Sequence, residues 1–316
     1  MTMKPMLLVV ELLSLIFITS VSHFLGGTIT WRLLSASATG TPVDINITQT
    51  YSWSYSSISC TTAMIASSQL ISVPTYTGLT TATLNYNTNC GAGSLGYVAP
   101  NIIPYCMDSS TAIGTTISQR SDIVTLAAGD DFSAAFQSNA WCTLATSTGA
   151  VWPISTRMNV NPRSDNGLYE NAPVTTIMSP ILIPVSQTIA INVFVADADV
   201  VDECGGVYPP SSLPPGTVIY LKCTILITGQ IVGDWFAVAL TVEDFINSSS
   251  IDPLSSVLVQ FLVQVVSQAS STSPPTIIGE FSQQSCTLIL FGQTFVSQLI
   301  VINNCGSSVT IIDMTT

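Results

Sequence analysis

Polar and apolar residues alternate with a period of two through 28–33 (TITWRL), 44–52 (DINITQTYS), 124–127, 189–195, 218–227 and 235–242 (WFAVALTV). Successive side chains of a strand point to opposite faces, so each stretch predicts a strand with one buried and one open face. Gly, Pro, Asn and Ser fill the gaps, and helical period is almost absent beyond the first residues. Many short strands punctuated by turns predict an all-β chain of tandem antiparallel β-sandwich domains, linked internally by disulfides. Two apolar runs, 257–266 (VLVQFLVQVV) and 287–302, carry Gln. Both are too short or too interrupted for the ~20 apolar residues of a spanning helix, so they predict strands.

The first 22 residues break the pattern. Lys4 precedes an apolar stretch from Met6 to Ile18, interrupted by Glu11, and Ser20 and Ser22 stand where a signal peptidase requires small residues. Residues 1–22 therefore predict a cleaved signal peptide, and a secreted mature chain with no membrane span. Two polar stretches rich in Pro, Gly or Ser, 161–173 (NPRSDNGLYENAP) and 267–275 (SQASSTSPP), predict boundaries. They divide the chain into a module at 23–165, a second sandwich at 166–268 and a partial third β domain at 269–316.

Composition narrows the function classes. Of 316 residues 47% are hydrophobic and only 8% charged, with 6 basic against 18 acidic side chains and a net charge of −12. No basic stripe exists to neutralise phosphates, which argues against a nucleic-acid partner, and a polybasic membrane surface is excluded in the same way. Eight cysteines, Cys60, Cys90, Cys106, Cys142, Cys204, Cys223, Cys286 and Cys305, contain no Cys-x-x-Cys pair. An even count on a secreted chain reads as a disulfide framework whose connectivity the sequence leaves open. A Cys286–Cys305 bridge is expected to hold the short third segment. Asn46-Ile-Thr and Asn247-Ser-Ser are sequons for N-glycosylation.

Candidate chemistry is sparse. His23, the single histidine, follows the leader directly. A mature N-terminal histidine binds copper well only with a second imidazole, so His23 is expected to close the first strand. The same scarcity rules out Ser-His-Asp and Cys-His triads of ordinary form. In 195–202 (VADADVVD), Asp197 and Asp199 alternate, which puts both carboxylates on one side of an extended segment. Joined by Asp244 or Glu243, with Asp165 and Glu170 as further ligands, they would offer the hard oxygens that suit Ca²⁺. The competing expectation is a solvated acidic loop. Paired carboxylates also serve glycosidases, but Trp31, Trp53, Trp141, Trp152 and Trp235 fall singly in strand contexts and predict core anchors, not sugar platforms.

The opening SHFLGGTITW, followed by ITQTYSWSYSSISC, resembles the N-terminal module of a group of secreted and cell-surface invertebrate proteins whose mature chains begin with an HFRGG-type motif. NPRSDNGLYENAPV resembles that group's junction, and GDWFAVALTVEDF with PLSSVLVQFLVQV resembles the last strands of its immunoglobulin- or cadherin-like domain. The resemblance covers most of 23–268 in order, and it implies an extracellular adhesion or matrix protein without catalytic residues. Leu25 stands where the group has a basic residue, and VADADVVDECGGVY, with Tyr208 in place of a cysteine, lacks a strand expected there. Cys204 and Cys223 would then pair with each other or stay free. The expected function is non-enzymatic binding of extracellular proteins, glycans or a second copy of the chain, with no required cofactor beyond optional Ca²⁺. The alternatives are a soluble glycan-recognition module, a carboxylate glycoside hydrolase and a truncated paralogue without function. Burial of Trp53, Trp141 and Trp152 discriminates sheet-edge adhesion from a glycan platform.

Overall fold

The computed structural model describes residues 24–71, 82–93, 96–138, 142–146, 152–176, 179–196, 201–204, 212–220, 223–269, 271, 273, 275–279 and 296–305. The expected signal peptide and His23 lie outside these residues. The first half of the chain contributes β1 (Phe24–Leu33), β2 (Val43–Ser54), a one-turn helix α1 (Thr62–Ala66), β3 (Asn85–Gly93), β4 (Tyr105–Ser110), β5 (Thr115–Leu126), β6 (Asp131–Ser138) and β7 (Trp152–Asn159). The second half contributes β8 (Val174–Thr176), β9 (Ile181–Pro184), β10 (Thr188–Asn192), β11 (Phe194–Ala196), β12 (Val201–Cys204), β13 (Val218–Tyr220), β14 (Thr224–Thr228), β15 (Trp235–Phe245), β16 (Ser255–Val266), β17 (Thr276–Gly279) and β18 (Leu299–Ile302). The all-β expectation holds.

An eleven-stranded sheet runs β3-β6-β7-β16-β1-β2-β5-β4, with β9, β12 and β15 attached beside that path. Its organiser is β16. One edge of β16 pairs with β15 from Trp235↔Gln264 to Asp244↔Ser255. The other edge is taken in relay by β7 at Ser256 and Val257, by β1 at Val259–Phe261 and by β9, in parallel, at Val263–Val266. A strand has only two edges, so the sheet divides at β16 into a β7-β6-β3 wing and a β1-β2-β5-β4 wing. Their inner faces meet: the Tyr51 and Phe136 rings lie 5.7 Å apart edge to face, and the Trp31 indole N–H donates to the Arg157 carbonyl at 2.8 Å.

Period-two patterning explains which residues fill that core. In β2 the side chains of Val43, Ile45, Ile47, Gln49, Tyr51 and Trp53 point inward and are buried, while Asp44, Asn46, Thr48 and Thr50 point outward. Trp31 and Trp53 are 1% and 2% exposed, so both are core anchors, as expected. The glycine pair after Leu25 is demanded by close packing. A Cβ on Gly26 would strike the Gln260 carbonyl oxygen, and one on Gly27 would lie 2.5 Å from the Thr50 carbonyl oxygen and 2.8 Å from the Tyr51 ring.

The strands of 23–165 and 166–268 thus share one sheet. The stretch at 161–173 is a clasp folded against β1. Arg163 forks onto Asp165 at 3.0 and 2.8 Å and reaches Glu170 at 3.2 Å. Asn171 Oδ1 accepts from the Leu33 N–H at 2.9 Å, the Ala172 N–H donates to the Trp31 carbonyl at 3.1 Å, and the Tyr169 hydroxyl donates to the Gly40 carbonyl at 2.6 Å. Smaller sheets, β10-β14-β13 and β11-β8, flank the main one, and β17-β18 form a separate two-stranded ribbon. No helix among the described residues is long and apolar enough to cross a membrane.

Candidate binding site

Among the described strands the β7-β6 wing ends at β3, whose Asn85–Asn89 run (NYNTN) is exposed throughout. Three contacts hold this end strand in place. The Leu84 N–H donates to the Pro100 carbonyl at 2.9 Å, the Tyr97 hydroxyl donates to the Leu84 carbonyl at 2.7 Å, and the Tyr86 ring stacks on Phe132 at 5.7 Å. Burial pushes the Tyr97 hydroxyl well above its usual range, so it stays protonated and serves as a donor. The β3–β6 register slips between Tyr86 and Thr88 and again between Asn89 and Gly93. Such bulges twist an end strand and restrict unselective edge pairing.

A cleft of about 330 Å³ opens against this edge, lined by Ala82, Thr83, Asn85, Tyr86, Asn87, Ala135, Phe136 and Gln137. Its size falls at the lower end of the ~300–1,000 Å³ common for ligand pockets. The Thr83 hydroxyl donates to Asn85 Oδ1 at 2.8 Å and so fixes that amide's orientation. Three carboxamides beside a half-exposed phenol ring can exchange hydrogen bonds with a backbone amide or a sugar hydroxyl, and they carry no charge. The sequence reading overlooked this edge, although an unbroken polar run with one aromatic in NYNTN was its available signal.

A second surface lies on the outer face of β1, β2 and β5. Cross-strand pairing sets Thr30 beside Thr48 and Thr48 beside Ser121, then Thr28 beside Thr50 and Thr50 beside Gln119. Thr48 and Ser121 share a hydrogen bond at 2.9 Å, and the Gln119 amide donates to the Thr50 hydroxyl at 3.1 Å. Strand β8 lies over part of this face, where the Thr30 hydroxyl donates to the Pro173 carbonyl at 2.8 Å.

The acidic residues proposed as cation ligands divide among different environments. Asp197 and Asp199 lie outside the described residues. Asp244 is fully buried on β15, where the Ser255 hydroxyl donates to its Oδ2 at 2.5 Å, and its register partner on β12 is Asp202; Glu243 stands opposite Glu203. Asp165 and Glu170 are both held by Arg163, and the guanidinium lowers the Asp165 carboxyl below its ordinary value. Among the described residues no three His, Cys, Asp or Glu side chains gather as a metal site. Arg163, the hub of this arrangement, was missed because a lone arginine in a polar stretch reads as solvent-exposed.

Of the cysteines, Cys60 and Cys106 form a disulfide that ties the loop before α1 to β4, and Cys223 is also disulfide-bonded. The side chains of Cys90, Cys204 and Cys286 lie outside the described residues. The expected Cys286–Cys305 bridge has no counterpart at Cys305, which is a free thiol and donates to the Ser273 carbonyl at 2.8 Å. Cys142 is free as well, and burial raises its thiol to about 11. The two sequons differ in setting. Asn247 is exposed, and the Ser249 hydroxyl donates to its Oδ1 at 2.5 Å, whereas Asn46 sits half-buried in mid-strand on the outer face of β2. The side chains of Trp141 and Trp152 lie outside the described residues. No protein-family model, curated protein or solved structure matches the chain.

Proposed function

We propose that this chain is a secreted, non-enzymatic protein of the adhesion or matrix kind that takes an extracellular partner at the β3 end of its main sheet. The observation carrying this reading is the exposed Asn85–Asn89 edge beside a cleft of about 330 Å³ lined by carboxamides. Among the described strands β3 ends its wing, and an extended segment of a partner adds to an end strand by main-chain hydrogen bonds. Asn85, Asn87 and Gln137 supply polar side-chain contacts around it, and Tyr86 supplies apolar area. Burial of Trp31 and Trp53 speaks for this mode over a tryptophan platform. The disulfide Cys60–Cys106 suits the oxidising compartment that secretion implies.

Tyr86 favours a second reading at the same place, in which its half-exposed ring stacks on a sugar and the amides bind the hydroxyls. Both readings are tested by presenting the purified protein to a panel of extracellular matrix proteins and to a glycan array. Retention on a matrix protein, abolished by Tyr86→Lys, supports strand addition. Retention on a glycan, abolished by Tyr86→Ala and Gln137→Ala, supports the second reading. Binding that survives all three variants removes the β3 edge from consideration.

A further inference from the structure

We propose that an N-linked glycan on Asn46 lies back along the outer face of β1, β2 and β5 and seats in the hydroxyl-lined cleft beneath β8. The inference rests on the secretion reading above, because the sequon is used only on that route. There the anomeric carbon of a lipid-pyrophosphate-linked oligosaccharide bonds to Asn46 Nδ2. The amide loses one proton and the lipid pyrophosphate leaves.

The sequon's register is the first argument. Asn46 and Thr48 point outward while Ile47 is fully buried between them, so a sugar on Asn46 emerges on the outer face without disturbing the core. Its cross-strand neighbours, Arg32 and Ile123, are both exposed, which leaves that end of the face open. From Asn46 the outer face continues through Thr48 to Thr50, about 13 Å along the strand at ~3.3 Å per residue. A short branched oligosaccharide covers that span.

The cleft is the second argument, and it is independent of the sequon. It measures about 130 Å³ and lies among Thr28, Thr30, Thr48, Thr50, Gln119 and Thr175. Thr28 is 7% exposed and Thr175 3%, yet neither hydroxyl has a hydrogen-bond partner. Buried hydroxyls are nearly always paired, so two orphans in the wall of one cleft point to something that fills it. Among the described residues no ionised side chain lines the cleft, which suits a neutral occupant. Sugar hydroxyls both donate and accept, as two threonine hydroxyls require. The space would otherwise hold about four waters. A tethered sugar has the advantage over a free one, because attachment two positions from the lining residue Thr48 raises its local concentration.

The test uses the full chain secreted from a glycosylating eukaryotic host. Glycopeptide mass spectrometry gives occupancy at Asn46 and, as an internal control, at Asn247. Melting is then compared between the intact glycoform, the form trimmed to a single sugar by an endoglycosidase, and Asn46→Gln, each with and without Thr28→Val and Thr175→Val. The expected result is an occupied Asn46, a Tm lowered by trimming, and valine substitutions that lower Tm only in the intact glycoform. An empty Asn46 beside an occupied Asn247 overturns the inference alone. So do valine substitutions that shift Tm equally with and without the glycan. A chain that is not secreted, or is modified at neither site, overturns the secretion reading and this inference together.

Discussion

The Trp31 indole nitrogen lies 2.8 Å from the Arg157 carbonyl oxygen and joins β1 to β7 across the core. Arg157 in turn forks onto Asp131 of β6 at 2.8 Å on both oxygens and donates to the Pro253 carbonyl at 2.9 Å. One tryptophan therefore connects both wings of the divided sheet to the loop before β16. Replacing it by phenylalanine keeps most of the apolar area but leaves the Arg157 carbonyl without this donor. Losing one hydrogen bond at this part-buried acceptor costs about 0.5–1.5 kcal/mol. Trp31→Phe is expected to lower the unfolding free energy by that amount, read as a lower urea midpoint with an unchanged denaturant slope, whereas Trp31→Ala costs more through the cavity it leaves.

Gly27→Ala is expected to cost as much or more, although it adds only one methyl group. The new carbon would lie 2.5 Å from the Thr50 carbonyl oxygen, which is sheet backbone and cannot swing aside. Overpacking of this kind costs typically about 1–3 kcal/mol. Equilibrium unfolding of Gly27→Ala checks it, and wild-type stability in that variant would refute the close approach of β1 to β2.

These two residues show what the sequence made legible. The alternation of TITWRL foretold the first strand, alternation in β2 and β15 identified the buried face of each, and the apolar run of β16 marked a strand, whereas the constraint on the Gly-Gly pair depends on β16 and β2 lying against it. Pairing partners were hidden, because a period of two says which side chains are buried and nothing about which strand lies alongside. Hence β1 and β16, more than 200 residues apart, were assigned to separate domains, whereas Gly26 in fact faces Phe261 in one sheet. The polar stretch 161–173 misled for a related reason. A mobile linker and a clasp whose charges pair among themselves have the same composition, and only the Arg163–Asp165–Glu170 geometry tells them apart. The NYNTN edge and the Thr28–Thr175 cleft depend on which strands end or cover a sheet, information that no local pattern carries.

Removing Arg163 tests that clasp directly. Glu170 is 1% exposed and 3.2 Å from the Arg163 guanidinium, so Arg163→Met takes away the cation beside a buried carboxylate. Breaking a buried pair from one side costs about 3–5 kcal/mol. The double variant Arg163→Met/Glu170→Gln is expected to recover much of the loss, since the stranded charge is then gone. Asp165 adds a smaller, pH-dependent share. Its folded-state pKa is depressed by Arg163, so its contribution is present above the ordinary carboxylate range and disappears as pH falls through the lowered value. Asp165→Asn should flatten that acid limb in a plot of urea midpoint against pH and leave the alkaline side unchanged.

The Cys60–Cys106 bridge closes a loop with a sequence separation of 46. Loop-closure entropy for that length gives about 4 kcal/mol of stabilisation. The paired substitution Cys60→Ala/Cys106→Ala is expected to lower stability by roughly that amount. It should do so by making the unfolded chain freer, so the refolding of β2 onto β5 still completes and the native circular dichroism spectrum is retained. A variant with wild-type stability would show that α1 and β4 are held by their packing and the Gln69–Cys106 backbone bond alone.

Alkaline conditions isolate Cys142. Burial lifts its thiol to about 11, against ~8.5 for an exposed cysteine. At pH 7 only about one molecule in ten thousand then carries the thiolate that reacts with an alkylating agent. Iodoacetamide labelling of Cys142 in the folded protein should therefore be slow and rise about tenfold per pH unit until the pH nears the thiol's own value. Unfolding in urea should speed it by about two orders of magnitude at neutral pH. The same shift has a stability consequence with a definite sign. The unfolded chain loses this proton first, so the stabilisation is full below the unfolded value and is lost as pH rises through the interval up to about 11. Cys142→Ala removes that share of the alkaline decline, and peptide-resolved labelling across the same pH range reads the thiol directly. Labelling of the folded protein at the rate of an exposed thiol would show that Cys142 is open to solvent instead of packed against the core beside the Ala145–Trp235 backbone bond.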